Sequence, residues 1–437
     1  RLGQSTENID DHNLEKISKK FSAFGWQVYT VNGHEVKELV EVFDEITNIK
    51  NKPIMILAKT YKGYGIKEVQ DKLGYHGKPF AKEELGKILD ELKSNFKKDA
   101  EFQEAGAWEP EKPTLSTSGG SRSKTQDEIT IPNPEYKFGE QISTRKAYGQ
   151  ALAQLGKVCE EVVSLDGDVK NSTFAEIFEK EFPIRFFQCF VAEQNMVSMA
   201  VGLNAGGKIP FVSTFASFIT RAHDQIRMAA IGKSNIKIVG SHAGVSIGED
   251  GPSQMGLEDI GLMRAIPESI ILYPSDAVST QKCVELMANC YEGISYLRTT
   301  RGATPVIYGN EEKFELGGFK VLKKSAQDAV CIIASGITVF EALKAQEILL
   351  KDNIKVRVID LYCIKPIRER ELSKEIIESS GLIITIEDHY LAGGMGEAVC
   401  SALKNKNFYI EHLAIKQLPR SGSSEQLLAW EEIDSHA

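Results

Sequence analysis

The sequence predicts an α/β protein of doubly wound, mostly parallel sheets arranged in three domains. Two observations predict it. Short apolar runs recur along the chain, each followed by a longer stretch with apolar residues at helical spacing. A segment rich in Pro, Ser and Gly, residues 98–134, interrupts that alternation once. A chain of 437 residues, 42% of them hydrophobic, has the material for such domains and a sizeable core in each.

In the first block, residues 1–97, the apolar run 26–31, the turn Asn32-Gly33-His34, the amphipathic pattern 35–46 and the run 54–58 read as strand, helix and strand of a βαβ unit. A charged helix is predicted over 81–98. Residues 98–134 contain STSGGSRSK at 116–124 together with Pro110, Pro113, Pro132 and Pro134, and read as an interdomain linker. The second block, 135–305, supplies strand candidates at 162–165, 185–190, 209–213, 236–240, 270–273 and 294–297. The third, 306–437, supplies them near 329–334, 356–361 and 382–385.

Composition narrows the function. A net charge of −9 without a long Lys/Arg run argues against nucleic-acid and membrane-surface partners. No signal-peptide pattern and no apolar run of about 20 residues is present, so neither secretion nor a membrane span is predicted. The seven cysteines form no CxxC pair and are odd in number, which suits buried thiols in a reducing, cytoplasmic setting.

Several residues carry chemistry. Glu193, in Ala192-Glu193-Gln194-Asn195, opens a helix directly after a predicted strand, at the sheet edge where ligands of such folds sit. Alone it reads as an ordinary first-turn acid favoured by the helix dipole. Phe215 and Phe218, followed by Arg221, can reach the same edge; alone they read as an i, i+3 packing stripe on a helix. The loop from Gly240 to Gln254 is rich in glycine and carries the polar heads His242, Asp250 and Gln254, so its backbone can approach a ligand closely.

Taken together these segments resemble the transketolase family. The resemblance rests on Thr144-Arg145-Lys146-Ala147-Tyr148-Gly149, the stretch Asp166-Gly167-Asp168-Val169-Lys170-Asn171-Ser172-Thr173-Phe174, Ala192-Glu193-Gln194-Asn195-Met196, the His242 to Gln254 loop and Arg298-Thr299-Thr300-Arg301. Upstream, Arg1-Leu2-Gly3-Gln4-Ser5, Lys59-Thr60-Tyr61-Lys62-Gly63-Tyr64-Gly65 and His76-Gly77-Lys78-Pro79 are similar to its animal-type branch. The resemblance implies the thiamine-diphosphate-binding fold, two-carbon ketol transfer between phosphorylated sugars in the pentose phosphate pathway, and a homodimer. It gives Glu193 the task of meeting the aminopyrimidine ring nitrogen in a pocket from which water is excluded. Phe215 and Phe218 flank that ring and Gln254 lines its pocket. Lys62, His76, Gln4 and Asp168 are further cofactor contacts, with His76 also a proton shuttle beside the substrate. Arg145, Ser172, His242 and Arg301 would hold the sugar phosphate, and Asp250 a sugar hydroxyl, because guanidinium forks and a hydroxyl suit a phosphate dianion.

One part of the family pattern is missing. The Gly-Asp-Gly motif and the downstream asparagine that anchor the cofactor through Mg2+ or Ca2+ do not occur in place; only the backbone carbonyl of Leu2 is left of that metal site, and the first domain is expected to be incomplete. Asp166-Gly167-Asp168 imitates the motif, but its Lys170-Asn171-Ser172 continuation places it with the substrate loop, so it is assigned no metal. Two other readings stay open: a different thiamine-diphosphate enzyme, such as deoxyxylulose-phosphate synthase or the small subunit of a 2-oxoacid dehydrogenase, and a non-catalytic transketolase-like binding protein. Glu387-Asp388-His389-Tyr390 and Gly393-Gly394-Met395-Gly396 in the third block lack a GxGxxG fingerprint and are read as structural. A first domain with an exposed sheet edge and an uncovered face predicts weak binding of thiamine diphosphate by this chain alone. Calorimetric titration with cofactor and Mg2+ checks it, and micromolar affinity would refute it.

Overall fold

The computed structural model describes residues 2–3, 6–95, 128–404 and 408–437. The chain separates into two compact units, Arg1–Pro110 and Glu111–Ala437. In the first, helix α1 (Leu14–Ala23), strand β1 (Gln27–Asn32), helix α2 (Val36–Ile46) and strand β2 (Ile54–Lys59) form a parallel two-stranded unit, followed by α3 (Leu85–Ser94). The predicted helix 81–98 is thus shorter within the described residues. No residue of α1 or α2 is buried, and Val36, Val40 and Phe43 leave an exposed apolar stripe along α2.

The second unit contains two larger sheets. Its strands are β3 (Gln141–Ser143), β4 (Val162–Asp166), β5 (Phe186–Gln188), β6 (Ile209–Phe215), β7 (Lys237–Ser241), β8 (Ile270–Leu272), β9 (Ser295–Arg298), β10 (Ala303–Pro305), β11 (Lys320–Lys323), β12 (Val330–Ala334), β13 (Val356–Asp360), β14 (Cys363–Lys365), β15 (Leu382–Tyr390) and β16 (Tyr409–Ile415). The first sheet runs β14-β8-β9-β7-β6-β4-β5, all parallel except β14, which pairs antiparallel with β8. The second runs β11-β13-β12-β15-β16, with only β11 antiparallel. Every residue of β4, β6, β7 and β9 is buried, as expected of parallel strands covered on both faces.

Three differences from the sequence reading have physical causes. The strand expected at 185–190 is cut to Phe186–Gln188, because Pro183 starts a short 3-10 turn just before it. The end of the expected linker is not a linker: Ile129 and Ile131 are buried in the core, Ile129 and Asn289 exchange two hydrogen bonds at 2.8 Å, and Gln281 donates to the Pro132 carbonyl. The second and third blocks are also not independent, since β14 from the third completes the sheet of the second and one apolar core includes residues of both.

The seam between those blocks buries a carboxylate. Asp360, at the end of β13, accepts the Ser275 and Tyr308 hydroxyls at 2.7 Å each. Burial, and then neighbouring Asp276, push its pKa from 3.8 up to about 7 against those two hydrogen bonds. The folded state therefore favours the protonated form: this stability is fully present below about pH 4 and is lost as pH rises through about 7. A displacement of that size is worth up to about 4 kcal/mol. Asp360→Asn, which keeps the acceptor and cannot ionise, is expected to flatten the fall in melting temperature between pH 5 and 8; an unchanged profile would show that Asp360 does not ionise there.

Candidate active site

The order of the seven-stranded sheet reverses between β4 and β6: the chain goes from β4 outward to β5, returns to β6, and continues the other way through β7 and β9. In open parallel sheets the crevice beyond the carboxyl ends of the strands at this reversal is where ligands lie. Asp168 follows β4, Glu193 follows β5, Phe215 ends β6, His242 follows β7 and Arg301 follows β9.

Glu193 is the first residue of the helix Glu193–Ala205 and is 2% exposed. Arg221 reaches its carboxylate at 2.6 Å, and the same guanidinium lies 4.8 Å over the ring of Phe218. Phe218 stacks on Phe215 at 4.9 Å, and Phe215 stacks on His242 at 3.8 Å. Acid, guanidinium, two phenyl rings and imidazole thus form one continuous column. The phenylalanines are not a helical packing stripe, because Phe215 ends a strand and Phe218 opens a 3-10 turn.

At its histidine end the column meets a cationic cluster. Arg145 donates to the carbonyls of Ser172 at 2.8 Å and Arg301 at 3.1 Å, and lies 5.2 Å from the ring of Phe174. Arg301 donates to the Ile247 carbonyl at 2.8 Å and pairs with Asp250 at 3.3 Å and Glu249 at 3.4 Å. Burial, then Arg145 and Arg301, depress the pKa of His242 to about 3, so its ring is neutral at physiological pH. Burial and neighbouring Arg301 also pull Arg145 downward, opposed by Asp250. Two forked cations and a neutral imidazole are a donor set of the kind that suits a small anion, with Asp250 paired to Arg301 at its edge.

The backbone is shaped to present these groups. His242 adopts φ 56°, unusual for a residue with a side chain, and Gly244, Gly248 and Gly251 all have positive φ. Gln254 is tied to the column through its carbonyl, which accepts the Ser217 hydroxyl at 3.1 Å. Asp168 (φ 70°) is exposed; its N–H donates to Gln188 at 3.1 Å. Sequence reasoning named Arg221 and Asp166 without reading their supporting roles. Arg221 holds Glu193, and Asp166 accepts Val169 N–H and the Thr173 hydroxyl at 2.7 Å each, which fixes the short helix bearing Ser172. The pattern around Arg221 placed it near the aromatic pair but not against Glu193, whereas an aspartate closing a buried strand was a usable signal for Asp166.

In the first unit, Lys62 Nζ donates to the Gly3 carbonyl at 3.1 Å and lies 3.2 Å from His76 Nδ1. Leu2 forms an isolated bridge with Glu7, and Gln4 lies outside the described residues. Among the described residues no group of three or more His, Cys, Asp or Glu side chains is placed to hold a metal ion.

Known proteins resemble this chain over most of its length. Family models match at residues 5–105 (transketolase, thiamine diphosphate binding domain), 140–306 (transketolase, pyrimidine binding domain) and 319–437 (transketolase, C-terminal domain). The chain is 46% identical to the transketolase of Homo sapiens over 442 aligned positions, covering 100% of this chain and 68% of that protein. The chain belongs to the transketolase family. It is equally 46% identical to transketolase-like protein 2 of Mus musculus, over 98% of this chain and 67% of that one. Among solved structures, a split gene transketolase described as an inactive beta4 tetramer aligns at 35% identity and TM-score 0.62, covering 68% of this chain and 95% of that one. Transketolase from Campylobacter jejuni aligns at TM-score 0.73 and 19% identity, over 99% of this chain and 70% of that one, and supports the fold. No helix among the described residues is long and apolar enough to cross a membrane.

Thiamine diphosphate is the cofactor for which the first of these models is described, and the described side chains suit it. A buried acid and a stacked aromatic pair share one guanidinium, and the buried hydroxyls of Thr214 and Ser246, at the end of β6 and in the His242 loop, lack hydrogen-bond partners. For a transketolase-family chain with His242 this strongly depressed, the ring should not titrate between pH 5 and 8, and its contribution to stability should be lost only as pH falls from about 6.5 towards 3. Histidine proton resonances followed against pH, with His242→Gln for assignment, check it; a midpoint near 6.5 would contradict the burial described.

Proposed function

We propose that this chain carries the pyrimidine-facing and phosphosugar-facing walls of a transketolase site, which moves a two-carbon ketol group reversibly from a ketose phosphate of the xylulose 5-phosphate type to an aldose phosphate of the ribose 5-phosphate or erythrose 4-phosphate type. The observation that carries the reading is the unbroken column from Glu193 to His242, ending against two guanidinium groups. Thiamine diphosphate, when bound, supplies a nucleophilic carbon and an electron sink. Glu193 would exchange a proton with its pyrimidine nitrogen, in a position kept by Arg221. Phe215 and Phe218 would flank the ring, and Gln254 and Asp168 would contribute to its pocket. Arg145, Arg301, Ser172 and neutral His242 would grip the sugar phosphate, and Asp250 would accept a hydroxyl. Lys62, His76 and Gln4 are proposed as cofactor-binding residues, His76 also moving a proton at the substrate hydroxyl.

The same reading extends to a divalent cation, Mg2+ or Ca2+, with the Leu2 carbonyl as a ligand, and to a cytoplasmic homodimer. The tetramer named for the split gene transketolase chain supports self-association of this one. Residues 1–97, 135–305 and 306–437 are proposed as diphosphate-binding, pyrimidine-binding and C-terminal domains. Two guanidiniums facing one histidine favour sugar phosphates over the 2-oxoacids of the related enzymes.

The test is ketol transfer from xylulose 5-phosphate to ribose 5-phosphate, by the chain alone and together with a segment supplying the N-terminal third of its relatives. Glu193→Ala should lower kcat by about 10² to 10⁴ with little change in KM for sugar. Arg145→Met should lower kcat/KM by about tenfold or more, mainly through KM. Full activity in Glu193→Ala, or pyruvate decarboxylation in place of ketol transfer, would sink the reading.

A further inference from the structure

Beneath the loop that carries His242 lies a set of charged side chains with no part in the chemistry above. Arg298, at the end of β9, is fully buried. Its Nε donates to Asp259 at 2.9 Å, its Nη1 to Asp388 Oδ1 at 2.8 Å, and its Nη2 to the carbonyls of Gly256 at 2.8 Å and Asp388 at 3.0 Å. The Tyr273 hydroxyl donates to the same Asp388 oxygen at 2.9 Å, and the guanidinium lies 4.5 Å over the Tyr273 ring. Tyr296 donates to Asp259 at 2.6 Å, and the His389 ring stands 4.0 Å from the other Asp259 oxygen. Asp259, Asp388 and His389 are themselves fully buried. A buried ion pair is a weak source of stability, because desolvation offsets the attraction; its best-attested use is to select one geometry among several.

The geometry selected can be read from the bond to Gly256. That carbonyl also accepts Gly244 N–H at 2.9 Å, while Gly256 N–H donates to the His242 carbonyl at 3.2 Å, so Gly256 and the segment from His242 to Gly244 lie side by side, with Ala243 bridged to Gly256. On the other side, Asp388 Oδ2, which has no hydrogen-bond partner, is pressed against Gly244, where a Cβ would overlap it. Arg298 and Asp388 therefore clamp both flanks of a turn in which His242 holds φ 56° and Gly244 φ 80°. His242 is the residue whose ring lies on Phe215.

We infer that Asp388, acting through Arg298, is a positioning residue for the anion receptor: it holds the backbone from His242 to Gly244 in the one turn that lays the imidazole on Phe215. The inference rests on the reading of His242 as a substrate residue, and it gives the third block, through Asp388, a share in positioning the site.

The full chain, prepared with isotope-labelled histidine and titrated with inorganic phosphate, tests it through the ring resonances and the phosphate affinity. Phosphate should move the His242 resonance, identified by its loss in His242→Gln. Asp388→Asn should displace that resonance before any phosphate is added and weaken phosphate binding at least about fivefold, a coupling of the size found between residues in contact. Gly244→Ala pushes a methyl group against Asp388 without removing a charge, and should do the same. A wild-type His242 resonance indifferent to phosphate would overturn the substrate-site reading itself. A responsive wild type, with both variants binding phosphate as tightly and their His242 resonances unmoved, overturns the positioning role whatever happens to their melting temperatures. Failure of both variants to fold also overturns it, since it assigns the pair to stability alone.

Discussion

A guanidinium without access to water, Arg298, is the constraint around which the second unit is organised. Its partners come from three directions: Asp259 from the helix after the glycine-rich loop, Asp388 from β15 of the neighbouring sheet, and the Gly256 carbonyl from the loop itself. Leaving Arg298 out would strand the carboxylates of Asp259 and Asp388 without a counter-charge in an apolar interior, at a cost of about 3–5 kcal/mol. The two sheets and the loop are therefore correct together or not at all. Several glycines follow from this crowding: side chains at 240, 244 and 336 would collide with Tyr296, Asp388 and Tyr273 of the same cluster.

Above this base the site is a graded series of surfaces. The acid end, a buried Glu193 carboxylate against an exposed Arg221, is charged; the middle, Phe218 and Phe215, is apolar and flat; the far end, with two guanidiniums, is cationic. Such an order suits a pair of ligands of which one needs stacking and a proton partner and the other needs charge. Keeping His242 neutral near two cations preserves its ability to accept as well as donate a hydrogen bond, which a protonated ring loses.

Much of this was legible in the chain. The central strands of both sheets are apolar runs buried on both faces, and such runs declare themselves. Glu193, His242, Arg145 and Arg301 stood out by position and by family resemblance, and the described residues of the second unit bring them to one crevice. The strands at 320–323, 363–365 and 409–415 went unread because they lie at sheet edges, with short or mixed patterns that only pairing defines. The partners of Arg221 and Arg298 went unread for another reason: an arginine in sequence gives no sign of which carboxylate, 28 or 90 residues away, it will meet. Ile129 and Ile131 were hidden among prolines that signal a linker, although their own apolar spacing belonged to the core.

The strand β14 is three residues long, runs against its neighbours, and closes the outer side of the seven-stranded sheet. Its distance along the chain has a consequence for biogenesis. During synthesis every other strand of that sheet leaves the ribosome before residue 363, so β8 waits with its backbone unpaired on one side while the following sheet is being made. Nascent chains of this protein are thus open to mispairing in that interval, and a chaperone that shields a bare strand would find a target there.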